Sequence, residues 1–86
     1  MAKRPKEHRP IETEGLDWIA SHRSSLIVRF AYEEKCRALV VELTTGDEYQ
    51  YFTVPREVFE GMAAAESKGS YFHAAVRDKF PYRRTG

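Results

Sequence analysis

Three polar side chains near the C-terminus form the group in this sequence that could best bind a ligand. Ser70, His73 and Arg77 are separated by three and four residues. At 100° per residue, this spacing places them within a sector of about 60° on one face of an α-helix. A hydroxyl, an imidazole and a guanidinium held this way could form a binding site. The same spacing is more often that of a solvated helix flank, with His73 lying against the sheet, so both interpretations stay open.

The C-terminal end also combines flat aromatic rings with cations. Nucleic-acid binding needs positive charge for the phosphates and exposed rings on which unpaired bases stack. The chain offers two tyrosines and four basic residues within fourteen positions. Together with the histidine above, the candidate nucleic-acid-binding residues are Tyr71, His73, Arg77, Lys79, Tyr82, Arg83 and Arg84.

A second pair of rings, Tyr49 and Tyr51, precedes a Val-Pro step at residues 54 and 55. Two residues apart on a strand, they lie on the same face of a sheet. They are either core residues whose hydroxyls reach the rim, or candidate stacking residues if the helices leave the ends of their rings open.

The sequence offers no recognisable catalytic or metal-binding set. Cys36 lies in a charged strand connection with no histidine near it in sequence, as a nucleophile would need. His8, His22 and His73 are scattered and lack the paired spacings of metal ligands. We therefore expect a protein that is not an enzyme and has no catalytic residue, metal site or cofactor.

Length and composition favour one small globular domain. The chain has 86 residues, of which 42% are hydrophobic and 31% charged. The net charge is +1, but residues 1–10 and 77–86 carry +3 each, so residues 11–76 carry −5. Basic ends can contact phosphate, and they are also common as solvated tails. With no apolar run typical of a signal peptide or a membrane span, we expect a cytoplasmic protein with no membrane partner.

Three segments have the composition of β-strands and predict an antiparallel meander, namely residues 26–32, 38–44 and 48–54. The tyrosine pair shares a face with the leucines and valine of the second strand only if the intervening hairpin loop has an odd number of residues. Thr44-Thr45-Gly46 supplies such a loop, with Gly46 in the left-handed conformation. The opposite face then carries Val40, Phe52 and Ile27.

Two helices follow the strands. Pro55 is suited to a helix start, and the apolar spacing from Val58 predicts about ten helical residues. Ser67 can cap a second helix whose apolar stripe runs from Gly69 to Phe80 and which Pro81 ends. The predicted fold is α+β: a three-stranded antiparallel β-meander followed by two α-helices packed on one face, with a short N-terminal helical segment in "LDWIASH". We expect residues 1–14 to be a mobile tail, 15–84 the domain and 85–86 a C-terminal tail.

Several motifs in a fixed order carry a resemblance. "YQYFTVP" and "AAESKGSYFHAAVRDKFPYRR" follow "SSLI" and "LVVEL", and together they resemble the KTSC domain over about residues 24–84. This family is a short bacterial module found at the C-terminus of some lysyl-tRNA synthetases and as a stand-alone protein. The resemblance implies RNA binding through the synthetase association. Ala31 and His73 depart from the glycine and asparagine usual in the family.

We therefore predict a small binding module for RNA, such as tRNA, or for an RNA-processing protein. The alternative is a protein-interaction or homodimerisation module that uses the sheet face left uncovered by the helices. Either the segment containing Trp18 or a second copy of the chain could cover that face, which makes the protein a monomer or a weak homodimer.

Overall fold

The computed structural model describes residues 9–22 and 24–86. In that part of the chain, five strands form one antiparallel sheet whose spatial order is the chain order. The elements are β1 (Ile19–Ala20), β2 (Ile27–Glu33), β3 (Ala38–Leu43), β4 (Glu48–Tyr51), α1 (Arg56–Ala64), α2 (Lys68–Ala75) and β5 (Tyr82–Arg84). The predicted α+β class is confirmed. The predicted number of three strands is wrong, because β1 and β5 add one strand to each edge of the meander.

The predicted N-terminal helical segment is also wrong. Ile19 and Ala20 form β1, which pairs with Phe30 and Arg29 of β2. The amide of Ser21 continues this pairing by donating to the carbonyl of Val28 at 2.9 Å. A helix this short is marginal in water, whereas an edge strand gains hydrogen bonds from a strand that already exists.

The register of the β3–β4 hairpin agrees with the prediction from parity. Leu39 pairs with Tyr51, and Val41 pairs with Tyr49, so the tyrosines share a face with the apolar residues of β3. Gly46 has φ 97°, and its amide donates to the carbonyl of Leu43 at 2.9 Å. The three-residue loop with a left-handed glycine is therefore confirmed.

A β-bulge at Val28 corrects the predicted position of Ile27. The register of β2 against β3 shifts between Ile27 and Arg29, which leaves Val28 40% exposed. The extra residue changes the alternation, so Ile27 and Phe30 both point to the helix side and both are fully buried. Ile27 therefore belongs to the core and not to the opposite face.

The main core lies between the sheet and the two helices. Its buried members are Ile27, Phe30, Leu39, Val41, Tyr51, Val54, Met62, Phe72 and Val76. The Tyr32 hydroxyl donates to the carbonyl of Val54 at 2.6 Å, which fixes the chain just before α1. Packing holds the helices against the sheet, since burial of each side chain of this size stabilises the fold by about 1.5–3 kcal/mol.

The second helix starts as predicted and ends earlier. The Ser67 hydroxyl accepts from the amide of Ser70 at 3.2 Å, which confirms the N-cap. The helix ends at Ala75, and Asp78 has φ 64°. This left-handed residue lies in the turn between α2 and β5, along which the chain returns to the sheet. The prediction that α2 continues to Pro81 is therefore wrong, although Phe80 still packs against the core.

The second face of the sheet is covered within the same chain. Ala31, Val40 and Phe52 are at most 2% exposed. The side chain of Gln50 accepts from the amide of Ile11 at 2.8 Å and donates to its carbonyl at 3.4 Å, so backbone near the N-terminus lies on this face. Most of the predicted mobile tail, residues 1–8, lies outside the described residues.

Trp18 also lies on the second face. The guanidinium of Arg29 is 3.8 Å from the centroid of the indole ring, and it forms an ion pair of 2.6 Å with Glu42. Trp18 therefore packs against Arg29 on this face, in the segment that one of the two alternatives proposed as its cover.

Candidate nucleic-acid interface

Strand β5 brings a third tyrosine to the pair on β4. The amides of Phe52 and Thr85 donate across the β4–β5 pair, each at 2.8 Å. Tyr51 and Tyr82 face each other between these bonds, in the kind of pair whose side chains approach most closely. The centroid of the Tyr82 ring lies 5.6 Å from that of Tyr49 and 5.6 Å from that of Tyr51. The three rings thus form one cluster on the helix side of the sheet, which we call the tyrosine cluster.

The tyrosine cluster lines an open cavity of about 240 Å³. Phe72 of α2 contributes one wall, with its ring edge on Tyr51 at a centroid distance of 5.6 Å. Arg77 and Asp78, from the turn that follows α2, complete the polar part of the lining. Tyr82 is 56% exposed, whereas Tyr51 is 4% exposed. The cavity therefore has a buried aromatic floor and an accessible ring at its mouth.

The hydroxyl of Tyr51 is held in its neutral form. Its pKa is raised to about 12, mainly by burial and also by the nearby hydroxyls of Tyr49 and Tyr82, against a smaller opposing effect of Arg77. A neutral phenol can donate and accept hydrogen bonds without repelling an anion. The floor of the cavity is thus polar without carrying negative charge near neutral pH.

Two arginines share the side of the tyrosine cluster. Arg77 lies at the cavity, and its guanidinium is 3.2 Å from Nδ1 of His73. Arg84 pairs with Tyr49 across the sheet, so its side chain leaves the same face. Its guanidinium lies 3.6 Å from the Asp47 carboxylate and is 63% exposed. Arg77 therefore lines the cavity itself, and Arg84 lies on the same sheet face as the rings.

The structure separates the other predicted residues from this group. Arg83 pairs with Gln50 and therefore belongs to the opposite face. Lys79 is exposed in the turn between α2 and β5. Tyr71 packs on α1, because a β-carbon placed at Gly61 would be 2.2 Å from its hydroxyl. The predicted residues that lie around one surface are His73, Arg77, Tyr82 and Arg84, with Tyr49 and Tyr51.

Asp78 is the residue of this surface that sequence reasoning missed. The signal was its position directly after Arg77 and close to Pro81, where an early helix end would return the chain to β4. The grouping of Tyr82 with Tyr49 and Tyr51 was missed for the same reason, since it depends on β5.

The chemistry available at the cavity is stacking and hydrogen bonding by aromatic rings, beside the guanidinium of Arg77 and the carboxylate of Asp78. In the part of the chain that the structure describes, no three histidine, cysteine or acidic side chains converge in a way that could hold a metal ion. Cys36 is an exposed thiol in the turn between β2 and β3.

A family model describes most of this chain. The model of the KTSC domain matches residues 23–80, which include β2 to β4 and both helices. The chain belongs to the KTSC domain family. The match ends just before β5, so Tyr82 and Arg84 lie beyond the part that the family model covers.

Sequence relatives of this KTSC domain include longer proteins and a short one. A lysine–tRNA ligase of Nostoc punctiforme is 38% identical over 60 residues, and one of Trichormus variabilis is 40% identical over 60 residues. The chain spans about 11% of the length of these ligases. A protein of Tsukamurella paurometabola is 37% identical over 57 residues, which are 85% of its length.

A solved structure supports the fold of the KTSC domain. The crystal structure of a KTSC domain protein from Yersinia pestis has a TM-score of 0.76 and 29% identity to this chain. The similarity covers 84% of this chain and all of that one. Across the residues that the structure describes, no helix has the length and apolar character needed to cross a bilayer.

Proposed function

We propose that this KTSC domain is a non-catalytic module that binds unpaired RNA, tRNA among its ligands, through the tyrosine cluster and the adjacent arginines. The observation that carries the proposal is the cavity itself. Three tyrosine rings and the ring of Phe72 line it, and the most accessible tyrosine, Tyr82, is 56% exposed beside Arg77.

The binding mode follows from this geometry. A base can stack on the exposed ring of Tyr82, a contact worth about 1–3 kcal/mol in single-strand binders. The guanidinium groups of Arg77 and Arg84 then lie on the side from which the sugar-phosphate chain approaches. Unpaired loops and ends of RNA present bases in the form that such a site accepts.

The relatives give independent support for RNA as the ligand class. A segment similar to this chain is part of lysine–tRNA ligases, whose names state that they act on tRNA. A module carried by such an enzyme would add contacts to the RNA that the enzyme already holds. We infer that this chain contacts RNA or an RNA-processing protein in the cytoplasm, with residues 15–84 as the binding unit.

The monomer is the form we propose for binding. The second sheet face, which would serve a homodimer, is covered by residues that include Ile11 and Trp18. The tyrosine cluster lies on the helix side and needs no second copy to be complete. The molar mass of the complex with RNA in solution should therefore not depend on the protein concentration.

Fluorescence anisotropy of a labelled tRNA pool tests the proposal. We expect saturable binding at low salt. The logarithm of the binding constant should fall linearly with the logarithm of the salt concentration, because phosphate contacts release counterions. Absence of binding at low salt would overturn the RNA assignment. Binding that does not depend on salt would remove the arginines from it.

A further inference from the structure

One acidic side chain lines a cavity whose other lining residues are aromatic rings, two leucines and one arginine. Asp78 lines the cavity together with the tyrosine cluster. Its φ of 64° lies in the left-handed region, which aspartate tolerates better than most residues. Its negative charge is close enough to contribute to the raised pKa of Tyr51, of which burial is the main cause. Asp78 is thus an exposed residue that also lines the cavity.

A carboxylate in this position repels the phosphates that Arg77 attracts. It must therefore face a part of the ligand that donates hydrogen bonds, and in RNA the base edges do so. Guanine presents two adjacent donors, N1–H and the 2-amino group, which match the two oxygens of one carboxylate. Adenine, cytosine and uracil each place an acceptor beside their donor on this edge, which a carboxylate disfavours.

The size of the cavity agrees with a single base. Its volume of about 240 Å³ is smaller than the roughly 300–1,000 Å³ of sites for drug-sized ligands. The ring of Tyr82 supplies the stacking surface at the mouth. A base stacked there can direct one of its edges toward the other lining residues.

We propose that this cavity selects an unpaired guanine, which stacks on Tyr82 and donates from N1 and the 2-amino group to the carboxylate of Asp78. This inference rests on the proposed function, since it names the base that the RNA site accepts. It makes Asp78 the specificity-determining residue, with the tyrosines and arginines as the general binding surface.

Five pentaribonucleotides test the selection with the full chain: UUGUU, UUAUU, UUCUU, UUUUU and a version with inosine at the centre. We expect UUGUU to bind about tenfold more tightly than the other three natural sequences, in line with a good bidentate base contact. Inosine lacks the 2-amino group and should lose most of this advantage. Equal affinity for all five would overturn the selection and leave RNA binding intact, whereas no binding of any would overturn both.

The variant Asp78→Asn tests the residue. Asparagine also tolerates the left-handed conformation, so the fold should persist, which a melting curve checks. We expect the preference for UUGUU over UUUUU to fall to near one, while UUUUU binds equally or more tightly because a negative charge is lost. The control Glu57→Gln removes the same charge from an exposed position of α1 and should preserve the preference for UUGUU. An unchanged preference in Asp78→Asn would overturn the assignment.

Discussion

Tyr51 and Tyr82 face each other across the β4–β5 pair with ring centroids 5.6 Å apart, yet one is 4% exposed and the other 56%. The first ring belongs to the core and the second to the surface. The tyrosine cluster thus connects the packing of the domain to a site that solvent and ligands can reach.

Replacing Tyr82 by alanine should weaken RNA binding without unfolding the domain. Loss of one stacked base corresponds to about 1–3 kcal/mol, or roughly five- to 150-fold in affinity. Anisotropy titrations measure the affinity, and circular dichroism checks the fold. Tyr82→Phe retains the ring and should bind within about twofold of the parent. Equal binding by the alanine variant would show that this ring is not the stacking surface.

Reversing the charges of the two arginines should reduce both affinity and its salt dependence. The double variant Arg77→Glu/Arg84→Glu removes two phosphate contacts, and each contact contributes about 0.7 to the logarithmic salt slope for single strands. The matched control Lys35→Glu reverses a charge in the turn between β2 and β3. If Lys35→Glu weakened binding as much as Arg77→Glu or Arg84→Glu alone, the loss of affinity would come from net charge and not from this site.

Stability should decrease at high pH through Tyr51. Its pKa is near 10 in the unfolded chain and about 12 in the folded one, so the folded state holds this proton more firmly. The contribution of Tyr51 to the free energy of unfolding is therefore fully present below pH 10. It is lost as pH rises from 10 through 12, which lowers the free energy of unfolding by up to about 3 kcal/mol.

Urea unfolding of the parent and of Tyr51→Phe at pH 8, 10 and 11.5 isolates this effect. Other groups titrate in both proteins, so the difference in the free energy of unfolding between the two reports on Tyr51. We expect the parent to lose more stability than Tyr51→Phe over this range. Parallel losses would contradict the burial of an ionisable hydroxyl.

The contact between Gly61 and Tyr71 should appear as a coupling in a double-mutant cycle. An alanine β-carbon at Gly61 would lie 2.2 Å from the Tyr71 hydroxyl and 2.8 Å from the ring carbon that bears it. We expect Gly61→Ala to destabilise the domain by about 1–3 kcal/mol through overpacking.

The background variant Tyr71→Ala removes the obstacle. There, Gly61→Ala should stabilise, since alanine in a helix is favoured over glycine by about 1 kcal/mol. Thermal or urea unfolding of the four proteins gives the coupling energy. A coupling near zero would mean that Tyr71 is free of α1, and would return it to the candidate RNA-binding residues.

The sequence could predict those parts of the fold whose signals are local. The parity of Tyr49 and Tyr51 against β3 followed from the period of a strand, and Gly46 marked the loop that fixes it. Ser67 marked a helix start through its hydroxyl. Each of these signals depends on a few neighbouring residues.

The missed parts depend on contacts between distant segments. β1 and β5 have two and three residues, too few to show a period, and they exist because a sheet edge was available. The bulge at Val28 moved Ile27 to the core, an effect that strict alternation cannot anticipate. The predicted site was incomplete for the same reason. Asp78 and Tyr82 lie near Tyr49 and Tyr51 because α2 ends early and the chain returns to the sheet.

An NMR titration of the isotope-labelled protein with a mixed tRNA pool, at low salt and again at higher salt, would locate the RNA site directly. We expect shifts concentrated at Tyr49, Arg77, Tyr82 and Arg84 that fade as salt rises. Shifts confined to α1 or to the second sheet face, or no shifts at low salt, would contradict the proposed site.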